Sequence, residues 1–251
     1  MMRICVISDL HFKYNPRNSE DRENQEIILD FLDGIRGKYD CLILAGDIFD
    51  LWYDWRYVII KQFFPILVKL YEISQNGCRI IHISGNHDFW FADFLPEYLD
   101  IELVPEYFDI QADGKRIYVC HGDTHTVNDM RYQFFRKLIR MPWIKKLFAV
   151  LHPDLALNIG NWMSRSSRAR KDPAPTRAKK TAGLIDFATK LILKKQADIV
   201  VMGHAHAPQM LSIHDGYYAN AGDWISHHSY IEIIDGDLRL KYFIQNKGET
   251  A

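Results

Sequence analysis

The sequence predicts an α/β fold of two mixed sheets packed face to face, with helices on the outer sides. Three observations predict it. Short apolar runs alternate with longer stretches of helical period in the N-terminal part, the rhythm of parallel βαβ units. The C-terminal part carries closely spaced strand-like runs, the last two joined by Asp235-Gly236, a strong signal for an antiparallel hairpin. Between these parts, residues 125–180 contain no strand-like run and are interrupted by Pro142, Pro153, Pro173 and Pro175.

Taken in order, Arg3–Ser8, Cys41–Ala45 and Arg79–Ser84 read as buried strands, because each is a short apolar run. Segments near Glu23–Ile35 and Tyr57–Ser74 place apolar residues at helical spacing and supply the crossovers. Further strands are predicted at Glu106–Gln111, Arg116–Cys120, Asp198–Met202, Gln209–Ile213, Tyr230–Ile234 and Leu238–Phe243. Residues 125–180 read as a helical insertion within a single domain spanning 1–251, rather than as a domain of their own.

Bulk properties narrow the function. The chain has 251 residues, 48% hydrophobic and 25% charged, with a formal net charge of −1. That is ordinary soluble composition, and no global positive field marks a nucleic-acid binder. No apolar run is long enough to span a bilayer, and no leader-like segment precedes Arg3-Ile4-Cys5-Val6-Ile7. A cytoplasmic location is expected. Cys5, Cys41, Cys78 and Cys120 form no Cys-x-x-Cys pair and read as buried thiols.

Seven side chains of metal-binding type follow one another in order. They are Asp9 and His11, Asp47, Asn86, His121, and His204 with His206. Each group stands just after a predicted strand, where open α/β sheets place their sites. Mixed Asp, His and Asn ligation suits borderline divalent ions such as manganese, iron or zinc. A shared carboxylate could bridge two such ions, which together clamp a phosphorus centre under in-line attack. His87 adjoins Asn86 and is the candidate proton donor or cation for a leaving group. Asp88 and Asp123 read as loop-shaping residues. His82, His152, His214, His227 and His228 are left unassigned.

The motifs Asp-x-His, Gly-Asp-x-x-Asp, Gly-Asn-His-Asp, His-Gly-Asp and Gly-His-Ala-His, from Asp9 to His206, resemble those of the calcineurin-like metallophosphoesterase superfamily. The resemblance implies a four-layered α-β-β-α sandwich. It implies that one metal takes Asp9, His11, Asp47 and His206, and the other Asp47, Asn86, His121 and His204. It also implies a catalytic His87, with Asp50 orienting its imidazole.

The insertion has a character of its own. From Arg131 to Lys180 there are thirteen Lys and Arg against Asp154 and Asp172. Phe134, Leu138 and Met141 keep helical spacing, as do Trp143, Leu147 and Leu151, with Ile144 and Phe148 on an adjoining face. One reading packs these faces onto the main domain. The other makes the segment a cap for an amphipathic substrate, its cations meeting phosphates and its apolar faces meeting acyl chains or a membrane surface.

The run His121-Gly122-Asp123-Thr124, Asn128-Asp129-x-x-Tyr132-Gln133-x-Phe135-Arg136, Arg140-x-Pro142-Trp143 and Met163-Ser164-Arg165-Ser166-Ser167-Arg168 resembles the cap of bacterial UDP-2,3-diacylglucosamine pyrophosphatases of lipid A biosynthesis. That family cleaves its substrate to UMP and 2,3-diacylglucosamine 1-phosphate, usually with manganese. The resemblance implies substrate contacts from Asp129, Tyr132, Arg165, Ser167, Arg168 and Lys171, and peripheral contact with the inner membrane. The family's best-known branch carries Arg after the ligand Asn, where this chain has His87. A superfamily hydrolase of another substrate therefore stands as the alternative: a nucleotide phosphodiesterase, a phosphomonoesterase or a nuclease. A non-catalytic scaffold is a third class, and the full ligand set with His87 argues against it. No nucleic-acid partner is expected.

Overall fold

The computed structural model describes residues 1–126, 130–168 and 174–243, apart from the side chains of 130–132, 135, 161–168 and 174–177. Two sheets form the centre. The first has six strands in the order β11-β10-β1-β2-β3-β4: Asp237–Tyr242, Ser229–Ile234, Arg3–Ile7, Cys41–Leu44, Arg79–Ile83 and Ile101–Val104. The second has five, β5-β6-β7-β9-β8: Tyr107–Ala112, Lys115–Cys120, Ile199–Met202, Gly216–Asn220 and Gln209–Ile213. Strands β1 to β4 run parallel, as do β6, β7 and β9, while the hairpins β5–β6, β8–β9 and β10–β11 are antiparallel.

Alternation along each strand builds the layers. In β1, Ile4 and Val6 point between the sheets, where they meet Ile117, Val119, Ile199 and Val201 of the second sheet. Cys5 and Ile7 point outward to helices α1 (Ser19–Ile35) and α2 (Phe64–Gln75). Across the molecule, Val200 and Met202 face Leu184, Ala188 and Ile192 of α7 (Ala174–Leu193). The order is thus helix, sheet, sheet, helix. Strands covered on both faces carry continuous apolar runs, which is why β1, β2 and β7 stood out in the sequence. All four cysteines are buried in this framework.

The departures from the sequence reading have local causes. The segment from Tyr57 is not helical at its start. A 3-10 turn at Lys61–Phe63 precedes α2, whose first turn holds Pro65, a residue suited to a helix beginning. Helix α1 starts earlier than expected because Asn18 accepts a hydrogen bond from the Asp21 amide and caps it. Helix α3 (Phe94–Leu99) and strand β4 follow one another around Asp100, which is left-handed. Both are too short to show a period. Strand β9 was missed although His214-Asp215-Gly216 forms the turn before it.

The insertion contributes α4 (Met130–Ile139), α5 (Pro142–Val150), α6 (Pro153–Arg168) and the first part of α7. Its seat on the main domain is specific. Phe148 and Ala156 pack with Tyr53 and Trp90, flanked by Ile144, Leu151, Trp55 and Phe89. The Tyr53 hydroxyl donates to Lys145 O at 2.8 Å, Lys145 Nζ to Phe91 O at 2.9 Å, and the Tyr14 hydroxyl to Leu157 O at 2.6 Å. Trp143, Leu147 and Val150, by contrast, are 56%, 54% and 78% exposed. The packing reading therefore holds for one face of α5, while the other face is open to solvent. Helix α7 runs on past residue 180, and its later part roofs the second sheet.

Candidate metal centre

The ends of parallel strands from both sheets meet at one place. Strands β1, β2 and β3 deliver Asp9 and His11, Asp47, and Asn86 with His87, while β6 and β7 deliver His121, and His204 with His206. All seven candidate ligands come together.

On one side, Asp9 Oδ1 lies 3.2 Å from His206 Nε2 and 3.8 Å from His11 Nε2, and His11 Nε2 lies 3.8 Å from Asp47 Oδ2. On the other, Asn86 Oδ1 lies 3.0 Å from both His121 Nε2 and His204 Nδ1, with Asp47 Oδ2 3.5 Å from His121 Nε2. Asp47 touches both halves.

Local structure aims these groups. Asp9, His11, Asp47, His204 and His206 all have left-handed backbones, with φ between 45° and 63°, a conformation that non-glycine residues hold only under constraint. The constraint is visible. The Asp9 amide donates to Gly46 O at 3.0 Å, the His11 amide to Asp47 O at 2.9 Å, and the Trp224 amide to Asp9 O at 3.1 Å. Asp47 Oδ1 accepts from the amides of Asn86 and His87 at 2.7 and 2.8 Å, leaving Oδ2 for the centre. Two glycines permit the close approach. A Cβ at Gly85 would collide with Asp47, and one at Gly203 with Ser8 and Asp9.

Electrostatics differ between the two carboxylates. Burial would raise the Asp9 pKa, but His206, His121 and His11 together hold it far below the usual carboxylate range. At Asp47 burial wins over His121 and His87, and the pKa is raised. Burial lowers His206, yet Asp9 and Asp223 outweigh it and push the ring up to about 9. Burial and neighbouring His121 push His204 down to about 3.

The donor set fits metal ions. Groups Asp9/His11/His206 and Asp9/Asp47/His121 each bring their ligand atoms within 4.8 Å of one another. His121 Nδ1 lies 2.9 Å from Ala45 O, so the neutral ring donates there and presents a lone pair at Nε2. That lone pair faces Asn86 Oδ1 and Asp47 Oδ2, and a cation is what reconciles three acceptors turned toward each other.

The neighbours divide as follows. His87 Nδ1 meets the Asp50 main-chain carbonyl at 3.1 Å. The Asp50 carboxylate, expected to face His87, has its Oδ1 3.9 Å from His11 Nδ1, and the three groups share one cluster. Asp88 accepts from the amides of Asp47, Ile48, Phe49 and Gly85. It organises the loop, as its sequence reading implied. Of the residues expected to contact substrate, Asp129 and Lys171 and the side chains of Tyr132, Arg165, Ser167 and Arg168 lie outside the described residues.

Several supporting residues escaped sequence reasoning. Ser8 Oγ donates to Asp9 Oδ2 at 2.6 Å. Asn220 Nδ2 donates to Gly203 O at 2.7 Å. Asp223 Oδ2 lies 2.7 Å from His227 Nδ1 and 3.7 Å from His206 Nδ1. The signal for Asp223 was present: Gly222-Asp223 after β9 repeats the strand, glycine, acid order of Gly46-Asp47.

A helix-sheet-sheet-helix sandwich whose parallel strands from both sheets end in one Asp, His and Asn cluster defines a class of metal-dependent hydrolase. The calcineurin-like phosphoesterase pattern matches residues 2–208. The UDP-2,3-diacylglucosamine hydrolase of Actinobacillus succinogenes is 28% identical over 250 residues, covering 96% of this chain and 100% of that protein. The enzyme of the same name from Porphyromonas gingivalis is 27% identical over 243 residues, covering 91% and 92%. A solved archaeal phosphodiesterase is similar in fold, with a TM-score of 0.50 at 13% identity, over 96% of this chain and 100% of that one. The chain belongs to the calcineurin-like phosphoesterase family. It is a metal-dependent phosphoester hydrolase.

Proposed function

We propose that the chain cleaves the pyrophosphate of UDP-2,3-diacylglucosamine, giving UMP and 2,3-diacylglucosamine 1-phosphate, a step of lipid A biosynthesis. One observation carries this reading: the insertion, tied through Arg136 and Arg140 to the Asp123 and Gly85 loops of the centre, carries an exposed apolar face on Trp143, Leu147 and Val150. Two curated relatives that match over at least nine-tenths of the chain are named UDP-2,3-diacylglucosamine hydrolase.

In this reading, Asp9, His11, Asp47 and His206 hold one divalent ion, and Asp47, Asn86, His121 and His204 the other, manganese being the expected metal. Bound there, the ions lower the pKa of attacking water and offset charge on the phosphoryl oxygens. His87 donates a proton or a positive charge to the leaving phosphate, its Nδ1 directed by the Asp50 carbonyl. Residues 125–180 act as a cap within one domain. Its exposed face receives acyl chains and touches the inner-membrane surface from the cytoplasmic side, while Asp129, Tyr132, Arg165, Ser167, Arg168 and Lys171 contact the polar part of the substrate. No described helix is long and apolar enough to cross a membrane.

Each acyl methylene buried in such a slot contributes about 0.8 kcal/mol, so a few separate an acylated from a bare sugar nucleotide by orders of magnitude. The expected outcome is that UDP-2,3-diacylglucosamine is hydrolysed far faster than UDP-N-acetylglucosamine at equal manganese and detergent. Equal efficiency on both would refute the substrate. His87, in place of arginine, favours a second reading, a phosphodiesterase of broader scope, which predicts turnover on small phosphodiesters instead.

A further inference from the structure

One helix of the insertion grips the two loops that carry the Asn86/His121 half of the centre. Gln133 Nε2 of α4 donates to Asp123 O at 2.8 Å, and Arg136 Nε to Asp123 Oδ2 at 2.5 Å. Just past the helix end, Arg140 Nη2 donates to Gly85 O at 2.6 Å, its guanidinium lying over the Phe89 ring at 4.8 Å. Asp123 stands two residues after His121, and Gly85 immediately precedes Asn86. Asn86 Oδ1 and His121 Nε2 are themselves 3.0 Å apart. Arg136 and Asp123 are largely buried, with 13% and 5% of their side chains exposed, so loss of the arginine would remove a charge-assisted hydrogen bond next to the site.

The Asp9/His206 half is tied differently, through the main domain. Trp224 N donates to Asp9 O, and Asp223 faces His206. The two halves therefore answer to different parts of the chain. Partners hydrogen-bonded directly to metal ligands change metal affinity by roughly 10–100-fold when removed, and Arg136 and Arg140 act one step further out, through Asp123 and Gly85. Where binding at one site shifts the affinity of another, the effect is reciprocal.

We propose that Arg136 and Arg140 are positioning residues that couple the seating of the insertion to the affinity of the Asp47/Asn86/His121/His204 subsite. An α4 held down by substrate tightens the ion in that subsite, and the ion in turn holds α4 down. The proposal rests on the ligand assignment given under the proposed function.

The test titrates the metal-free, full-length chain with Mn2+ by calorimetry and follows amide hydrogen exchange over residues 133–141. The unaltered chain should bind two ions in distinguishable steps, the second slowing exchange in α4. Arg136→Gln/Arg140→Gln should keep one step and weaken the other by about 10-fold, the low end of the range for direct partners of the ligands, with α4 exchange no longer responding to metal. Arg140→Lys, which retains a donor for Gly85 O, should bind the second ion more tightly than Arg140→Gln. If the double variant does not fold, that single-site pair decides the matter. Equal second-ion affinity in Arg140→Gln, or α4 exchange in the unaltered chain indifferent to metal, overturns the coupling. Fewer than two ions in the unaltered chain instead overturns the ligand assignment beneath it.

Discussion

At the scale of single residues, the centre is held by conformations that cost free energy. Five of the seven candidate ligands are left-handed, each at about 1–3 kcal/mol. Amide donors fix them, with Asp47 Oδ1 spent on the Asn86 and His87 amides. The roles of neighbouring residues should separate cleanly. Asp47→Ala removes a group common to both halves, so activity should vanish and bound metal should fall to one ion or fewer. His87→Ala should keep both ions while losing about 10²–10⁴ in rate, the range for a positioned acid or base, most strongly on substrates with poor leaving groups. Metal analysis beside single-turnover kinetics checks both. Two tightly held ions in Asp47→Ala, or near-normal turnover in His87→Ala, would contradict the assignment.

At the scale of elements, α5 shows how one short helix serves two surfaces. Ile144, Phe148 and Leu151 turn toward Tyr53, Trp55 and Trp90, while Trp143, Leu147 and Val150 turn to solvent. Phe148→Ala opens a cavity in that seat. A buried Phe loses about 3–5 kcal/mol on truncation, and here the loss should fall on the insertion. Limited proteolysis should cut within residues 141–157 much faster in this variant, with the melting of the sheets little changed. Trp143→Ser should leave proteolysis unchanged and lower turnover of the acylated substrate alone. Equal protease resistance in Phe148→Ala and the unaltered chain would mean that the aromatic cluster does not hold the insertion. Residue spacing revealed that α5 had two apolar faces. It did not reveal which was buried, because that depends on Tyr53 and Trp90, which are far away in the chain.

At the scale of the whole molecule, the centre joins the two sheets. Asp9, His11, Asp47 and Asn86 follow strands of the first, and His121, His204 and His206 follow strands of the second. Ions held by both sheets bind the folded state alone and should stabilise it by mass action. At a free-ion concentration one hundred times the dissociation constant this amounts to about 2.7 kcal/mol per site. A chain of this size gains about 2–4 °C in melting temperature per kcal/mol. Chelation should therefore lower the melting temperature by several degrees, reversibly on return of Mn2+, as scanning calorimetry would record. Identical melting with and without chelator would argue against ions that bridge the sheets.

The sandwich class, the main strands, the order of the ligand motifs and the loop role of Asp88 are legible in the chain alone. These rest on local signals: apolar runs covered on both faces, the Asp235-Gly236 turn, and chemistry placed directly after strand ends. Strands β4 and β9, the late start of α2 and the support from Ser8 and Asn220 depend on the packed fold. Short elements carry no period, and a supporting hydrogen bond such as that of Asn220 to Gly203 O links residues with no common pattern. Tertiary structure also set which atom of Asp50 meets His87. A residue type announces its side-chain chemistry, whereas the carbonyl that reaches His87 Nδ1 belongs to the backbone, whose path only the packed fold fixes.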